Sequence, residues 1–162
     1  MSMTKELLLQ LFDYKNGELY WKAKKSGVTV GMKAGSDSGN GYITLQINGK
    51  NYKLHRIIFM MHYGYLPKYL DHIDGNPSNN SIENLRECTH QENVWNQSIK
   101  KNNTTGIKNV SWSEKRKRWF VKLTHKTGTF QKFFKDLELA ELVAIEARDK
   151  FHGKFANHGS IA

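Results

Sequence analysis

A single cysteine, Cys88, occurs in the 162 residues, which excludes an intramolecular disulfide and any zinc site built on paired Cys-x-x-Cys motifs. No run approaches the roughly 18 consecutive apolar residues of a membrane span. Apolar residues make up only 38% of the chain, and the mean hydropathy is −0.66, so the sequence reads as a soluble protein. The opening stretch Met1 to Glu6 turns acidic and then amphipathic without a cleavable apolar segment; secretion is not expected, and a cytoplasmic location is. Any metal chemistry falls to oxygen and imidazole ligands.

Acidic residues are also scarce in one region. The whole chain carries 25 Lys and Arg against 15 Asp and Glu, a net charge of +10. Residues 100 to 135 hold eleven basic residues and one acid, Glu114, so 11 − 1 = +10 and the remainder is neutral. A charge run often marks only a solvated face. This one is interleaved with Trp112, Trp119, Phe120, Phe130, Phe133 and Phe134, and polyanion binding is the natural reading.

Hydrophobic spacing predicts a short helix over 3–13 with Thr4 as N-cap, a strand over 18–22, and a hairpin of 41–47 and 51–55 around Asn48-Gly49. The intervening 24–40 reads as a loop. His55 to Tyr63 reads as a buried helix stopped by Gly64 and Pro67, and Tyr69 to His72 as a short extended piece. A polar turn-forming loop, 74–80, leads to a helix capped by Thr89 and running to about Ser98. Beyond 100–105, three strands (108–112, 118–125, 129–135) precede a helix capped by Asp136 and stopped at Gly153. In the middle strand Trp119, Val121 and Leu123 share the face toward the helix, while Arg118, Phe120 and Lys122 share the other.

The pair Asp71-His72 carries the chemical interest. Phosphodiester hydrolysis needs a base to deprotonate water and a divalent cation to neutralise charge at the phosphate. Asp71 and Asn93 can offer oxygens to one hard cation, and His72, on the opposite side by strand alternation, is left as base. An Asp-His pair in a loop is by itself also compatible with a plain surface turn.

The wider string is more specific. Leu54-His55-Arg56, Gly64, Leu66-Pro67, Asp71-His72-Ile73-Asp74-Gly75-Asn76, Asn79-Asn80, Glu83-Asn84-Leu85-Arg86 and Glu92-Asn93 resemble the HNH endonucleases, in particular the phage and intron-encoded homing subgroup with the ββα-metal fold. The resemblance implies His72 as general base, Asp71 and Asn93 as metal ligands and Asn84 as the residue orienting the histidine. It implies a divalent metal, Mg²⁺ first and Mn²⁺ second. Asn93 stands where many relatives have histidine, and His90 and Asn96 are alternative ligands. His55-Arg56 could touch phosphate or serve structure, Met60-Met61 is core, and Cys88 reads as a buried or inert thiol.

The C-terminal segment has its own likeness. Gly106 to Trp112, Lys117 to Leu123, Ala140, Ala147 and Gly153 to Asn157 resemble the DNA-binding domain of plant ethylene-response factors, which lays a three-stranded sheet in the major groove. The implied contacts are Lys108, Arg116, Arg118, Phe120, Lys122 and Lys132. Arg116 and Arg118 are the best base readers, with phosphate contact the alternative.

The expected architecture is α+β: an N-terminal α/β extension (1–53), a ββα-metal nuclease core (54–99), a linker (100–105) and a sheet-type DNA-binding domain (106–158) whose antiparallel sheet packs on one helix. The expected function is metal-dependent, site-preferring cleavage of double-stranded DNA, with homing as the implied biology, in the cytoplasm of a bacterial host if the gene is a phage's. No membrane and no protein partner are implied. A DNA-binding regulator with a decayed nuclease fold and a nuclease toxin are the competing readings.

Overall fold

The computed structural model describes residues 3–24 and 27–159. The readings that touch Met1, Ser2 and positions 25 and 26 of the 24–40 loop lie outside the described residues. The chain is α+β and divides into two compact units, 1–89 and 90–162. No helix among the described residues is long and apolar enough to cross a membrane.

In the first unit, helix α1 (Lys5–Leu11) starts where Thr4 Oγ1 accepts from the Leu7 amide, as the capping pattern requires. It stops two residues earlier than its apolar spacing suggests, because Phe12–Lys15 leaves the helix as strand β1 and pairs antiparallel with β2 (Glu18–Trp21). The turn is Asn16-Gly17, both residues at positive φ, which gives the twist a two-residue hairpin needs. The expected second hairpin is present as β4 (Ile43–Ile47) and β5 (Lys50–Lys53), and a two-residue strand β3 (Ser36–Asp37) joins its edge from within the expected loop. Helix α2 (Leu54–Tyr63) ends at Gly64 in the left-handed region. It buries Leu54, Ile57, Ile58, Phe59 and Met61 against Leu8, Phe12, Leu19, Trp21, Leu45 and Ile47. Strand β6 (Tyr69–His72) then pairs with β7 (Leu85–Cys88), the latter absent from the sequence reading.

The second unit opens with α3 (His90–Asn96), followed by β8 (Val110–Ser113), β9 (Arg118–His125), β10 (Gly128–Phe134) and α4 (Leu137–His152). The sheet order is β10-β9-β8, all antiparallel, and α4 packs on it through Ala140 and Ala144, whose small side chains let the helix lie close over Val110, Val121 and Phe134. The Asp136 carboxylate caps α4 by accepting from the Leu139 amide at 2.8 Å.

The division of the chain differs from the expected 54–99, 100–105 and 106–158. Helix α3 belongs with the C-terminal sheet because Trp95 stacks on His152 (4.3 Å, 7° between planes), the Asn157 amide donates to Asn96 O, and Lys108 Nζ donates to Trp95 O. The 100–105 segment is a built turn: Asn103 Oδ1 accepts from the Thr105 and Gly106 amides.

One contact in the first unit has consequences for the site. A Cβ on Gly17 would lie 2.7 Å from Ser81 N and 2.9 Å from Asn80 C, and the residue sits at φ +82°. The β1–β2 turn therefore presses directly on the 80–81 backbone. Gly17→Ala is expected to cost about 1–3 kcal/mol from the positive φ and the clash combined, read by equilibrium urea denaturation; an unchanged midpoint would mean that the turn does not bear on this segment.

Candidate active site

Strand alternation and register separate Asp71 from His72. Asp71 lies across from Arg86, and His72 across from Leu85, so the two side chains leave β6 on opposite faces. Both are buried, at 6% and 5% exposure. A carboxylate and an imidazole at that depth need partners. Arg86 supplies the first, donating from Nε (2.9 Å) and Nη2 (2.8 Å) to Asp71 Oδ2. Asn80, 3% exposed, supplies the second: its Oδ1 lies 3.0 Å from His72 Nε2.

The segment between the two strands is tied to itself. Asn84 Nδ2 donates to Asp74 Oδ1 and to Asn79 O, Asn84 Oδ1 accepts from the Asp74 amide, and Asn79 Nδ2 donates to Asp74 Oδ2. Burial alone would raise the Asp74 carboxyl, but these bonds and the Asn76 amide outweigh it and hold it below its ordinary value. Asn84, expected to orient His72, has its side-chain amide hydrogen-bonded to Asp74 and Asn79. The single helical turn Ile82–Asn84 directs its amide into the 74–79 loop, and the hydrogen bond to the histidine comes from Asn80. The sequence held one signal for this, the Asn79-Asn80 pair, to which spacing assigned no role.

His55 is a second residue that pattern alone left undecided. It is 5% exposed and meets the His72 ring edge to face at 4.9 Å. Burial, with smaller contributions from His72, Lys53 and Arg56, pulls its pKa down to about 3, so it is a neutral wall beside His72 and not a phosphate contact. Arg56 donates to Pro67 O, closing the loop after α2. Tyr42 completes the surround, 5.7 Å from His55 and 6.2 Å from His72, with Lys53 Nζ 3.7 Å above its ring.

Among metal-ligating types, no group of three His, Cys, Asp or Glu side chains that could hold an ion occurs among the described residues. Asp71 offers carboxylate oxygen and Asn93, half-buried on α3, an amide oxygen. Carboxylate and amide oxygens are donor types of hard divalent cations and not those of a thiolate or imidazole zinc site.

The second unit sorts the expected DNA contacts. Register puts Arg118, Phe120 and Lys122 of β9 beside Ser111, Ser113, Gln131 and Phe133, on the face away from α4. Phe120 stacks on Phe133 (4.5 Å, 22°), and the Arg116 guanidinium sits 4.6 Å over Phe133. Two of the expected contacts lie elsewhere than on this face. Lys132 pairs with Val121 and so belongs to the face that carries α4. Lys108 is half-buried, its Nζ donating to Trp95 O and Gln97 O at the end of α3, and burial lowers its pKa to about 8.

The neutral state of His55 has a thermodynamic signature. Its folded pKa lies below the unfolded value near 6.5, so on acidification the unfolded chain takes up a proton that the folded chain does not. Stability is then lost from about pH 6.5 downward toward pH 3, by at most about 1.4 kcal/mol per pH unit for this group. His55→Phe is expected to flatten the fall between pH 6.5 and 4 relative to the parent in urea denaturation; parallel curves would show that His55 is charged or exposed when folded.

Comparison with known proteins bears on the same segment. Residues 52–95 match a family model described as HNH endonuclease. Over 97 residues the chain is 42% identical to Protein 3.8 of Escherichia phage T7, an alignment spanning 57% of this chain and 78% of that protein. No solved structure gives a significant match. The match to the family model encloses Asp71, His72, Asn80, Asn84 and Asn93, and it indicates a nuclease acting on DNA. The chain therefore belongs to the family of phage T7 Protein 3.8 and carries an HNH endonuclease domain over residues 52–95.

Proposed function

We propose that the protein is a metal-dependent, site-preferring endonuclease of the homing type, in which the 52–95 segment cuts and the β8–β10 sheet reads double-stranded DNA. The observation that carries this reading is the buried Asp71-His72 pair at the end of β6, each member satisfied by a separate partner, inside the segment that matches the HNH family.

The chemistry follows from the groups present. His72 takes a proton from water as the water oxygen forms a bond to phosphorus; the bond to one sugar oxygen breaks, that oxygen keeps the electron pair and is protonated from solvent. Arg86 fixes the Asp71 carboxylate in place through two charge-assisted hydrogen bonds. HNH nucleases generally use a divalent metal, and Asp71 and Asn93 are the residues that would hold Mg²⁺, or Mn²⁺; when bound, the ion supplies charge neutralisation at the phosphate. The pairing of those two ligands rests on the family resemblance.

In the second unit, the face away from α4 is the proposed reader, in keeping with the likeness to ethylene-response factors. Arg116 and Arg118 can address guanine edges, Lys122 a phosphate, and Phe120 with Phe133 forms an apolar floor that orients Arg116. Lys108 and Lys132 have no part in this face.

His72→Ala is expected to lower plasmid cleavage in Mg²⁺ by about 10²- to 10⁴-fold while DNA affinity stays nearly constant. Chelation by EDTA is expected to stop the parent. Cleavage within a factor of a few of wild type in either case would sink the assignment, and a wild-type protein that binds one site tightly yet never cuts would be the regulator instead.

In the same preparations, Arg118→Ala is expected to relax site preference by about 1–3 kcal/mol if it reads a base, and Lys122→Ala to weaken all sequences alike. Lys108→Ala is expected to lower stability and leave the salt dependence of binding unchanged. Loss of about one unit of salt slope in that variant would return Lys108 to the DNA face.

A further inference from the structure

We propose that Asn80 is the positioning residue of His72, fixing which ring nitrogen carries the proton, and that the β1–β2 hairpin holds Asn80 in place to do so. The inference rests on His72 acting as the base.

The amide of Asn80 can be oriented in only one way. Its Nδ2 faces Ser78 O at 3.3 Å and its Oδ1 faces His72 Nε2 at 3.0 Å. The flipped amide would set its oxygen against the Ser78 carbonyl, two acceptors with no proton between them. With Oδ1 toward the ring, Nε2 must be the donor. The lone pair that accepts a proton from water is then on Nδ1. The His55 ring, edge to face with His72 at 4.9 Å, limits rotation of the imidazole from another side.

Asn80 is itself held from below. Gly17 leaves no room for a Cβ against the Asn80–Ser81 backbone, and the Tyr14 hydroxyl of β1 accepts from the Ile82 amide at 3.0 Å. Ahead of Asn80, Ser78 Oγ donates to Gly41 O, and a Cβ on Gly41 would lie 2.9 Å from Pro77 Cγ. Residues outside the matched family segment therefore set the position of an amide within it. A loose 78–82 segment would let the amide withdraw and leave both ring tautomers open to His72.

The test is the tautomer itself, read by long-range ¹H–¹⁵N correlation spectra of full-length, histidine-labelled protein at pH 8, which needs neither DNA nor metal. The wild type is expected to show His72 protonated at Nε2. Asn80→Ala is expected to show a mixture of tautomers and a fall in kcat of about 10- to 100-fold with KM within about twofold. Asn80→Asp, which keeps the acceptor oxygen, is expected to restore the Nε2–H form and most of kcat. Gly17→Ala is expected to move the tautomer in the direction of Asn80→Ala.

A wild-type His72 protonated at Nδ1 overturns the proposal even if no variant folds. So does an Asn80→Ala protein with an unchanged tautomer, or one with a mixed tautomer and undiminished kcat. A His72→Ala protein that cuts normally would instead remove the base assignment, and the tautomer spectra would still decide what Asn80 does to the ring.

Discussion

The first unit is organised by the need to bury a carboxylate and an imidazole side by side. Each costs several kcal/mol in an apolar setting if unpartnered, and they point to opposite faces of β6, so no one residue can serve both. The carboxylate is met in register by Arg86 across the β6–β7 ladder. The imidazole has Leu85 as its cross-strand neighbour, which offers no hydrogen bond, so its partner must come from the loop between the strands. That requirement accounts for the shape of 73–84: the loop turns outward through Asp74 and Asn79, then dives to bury Asn80 before β7 begins.

A loop that supplies a buried amide has to be stiff, and its own composition gives it little apolar anchorage. Stiffness comes from Asp74, whose two carboxylate oxygens gather Asn76, Asn79 and Asn84, and from two glycines far away in sequence. Gly17 and Gly41 each admit a close backbone or ring approach that any side chain would block. This gives the N-terminal segment a physical role that its sequence did not reveal: it buttresses the loop that buttresses the histidine. The effect travels through van der Waals contact and main-chain hydrogen bonds.

What pattern can and cannot announce follows from the range of the interaction. Helix α1, the Asn48-Gly49 hairpin, the Gly64 stop of α2 and the Asp136 cap of α4 are local, and each was legible from capping and turn chemistry. Asp71 and His72 stood out because an acid and a base adjoin on a short strand. Strand β7 and the amide of Asn80 were not legible, since both depend on which residue a partner 8 to 15 positions away happens to face. The reassignment of α3 has the same origin: the stacking of Trp95 on His152 spans most of the second unit, and nothing in 100–105 announces that its asparagine folds the segment into a turn.

The basic run between 100 and 135 shows how far a charge count can stray from a charge surface. Of its eleven cations, Lys108 is consumed at the carbonyl end of α3, where a cation offsets the helix dipole and satisfies two unpaired acceptors. Lys117 is paired with Glu114, Lys126 reaches Glu92 on α3, and Lys132 lies on the α4 side of the sheet. On the face away from α4, the proposed reading surface, Arg118, Lys122 and the ring-held Arg116 are set among Ser111, Ser113, Thr124, Thr129 and Gln131. In the proposed function, the short hydrogen-bonding side chains of that face make its two arginines, and not the charge total of the tract, the groups that would carry sequence preference. Strand alternation, by sending every second residue to the helix, divides the basic tract between the two faces of the sheet, so a run that is uniform in sequence is not uniform on the surface.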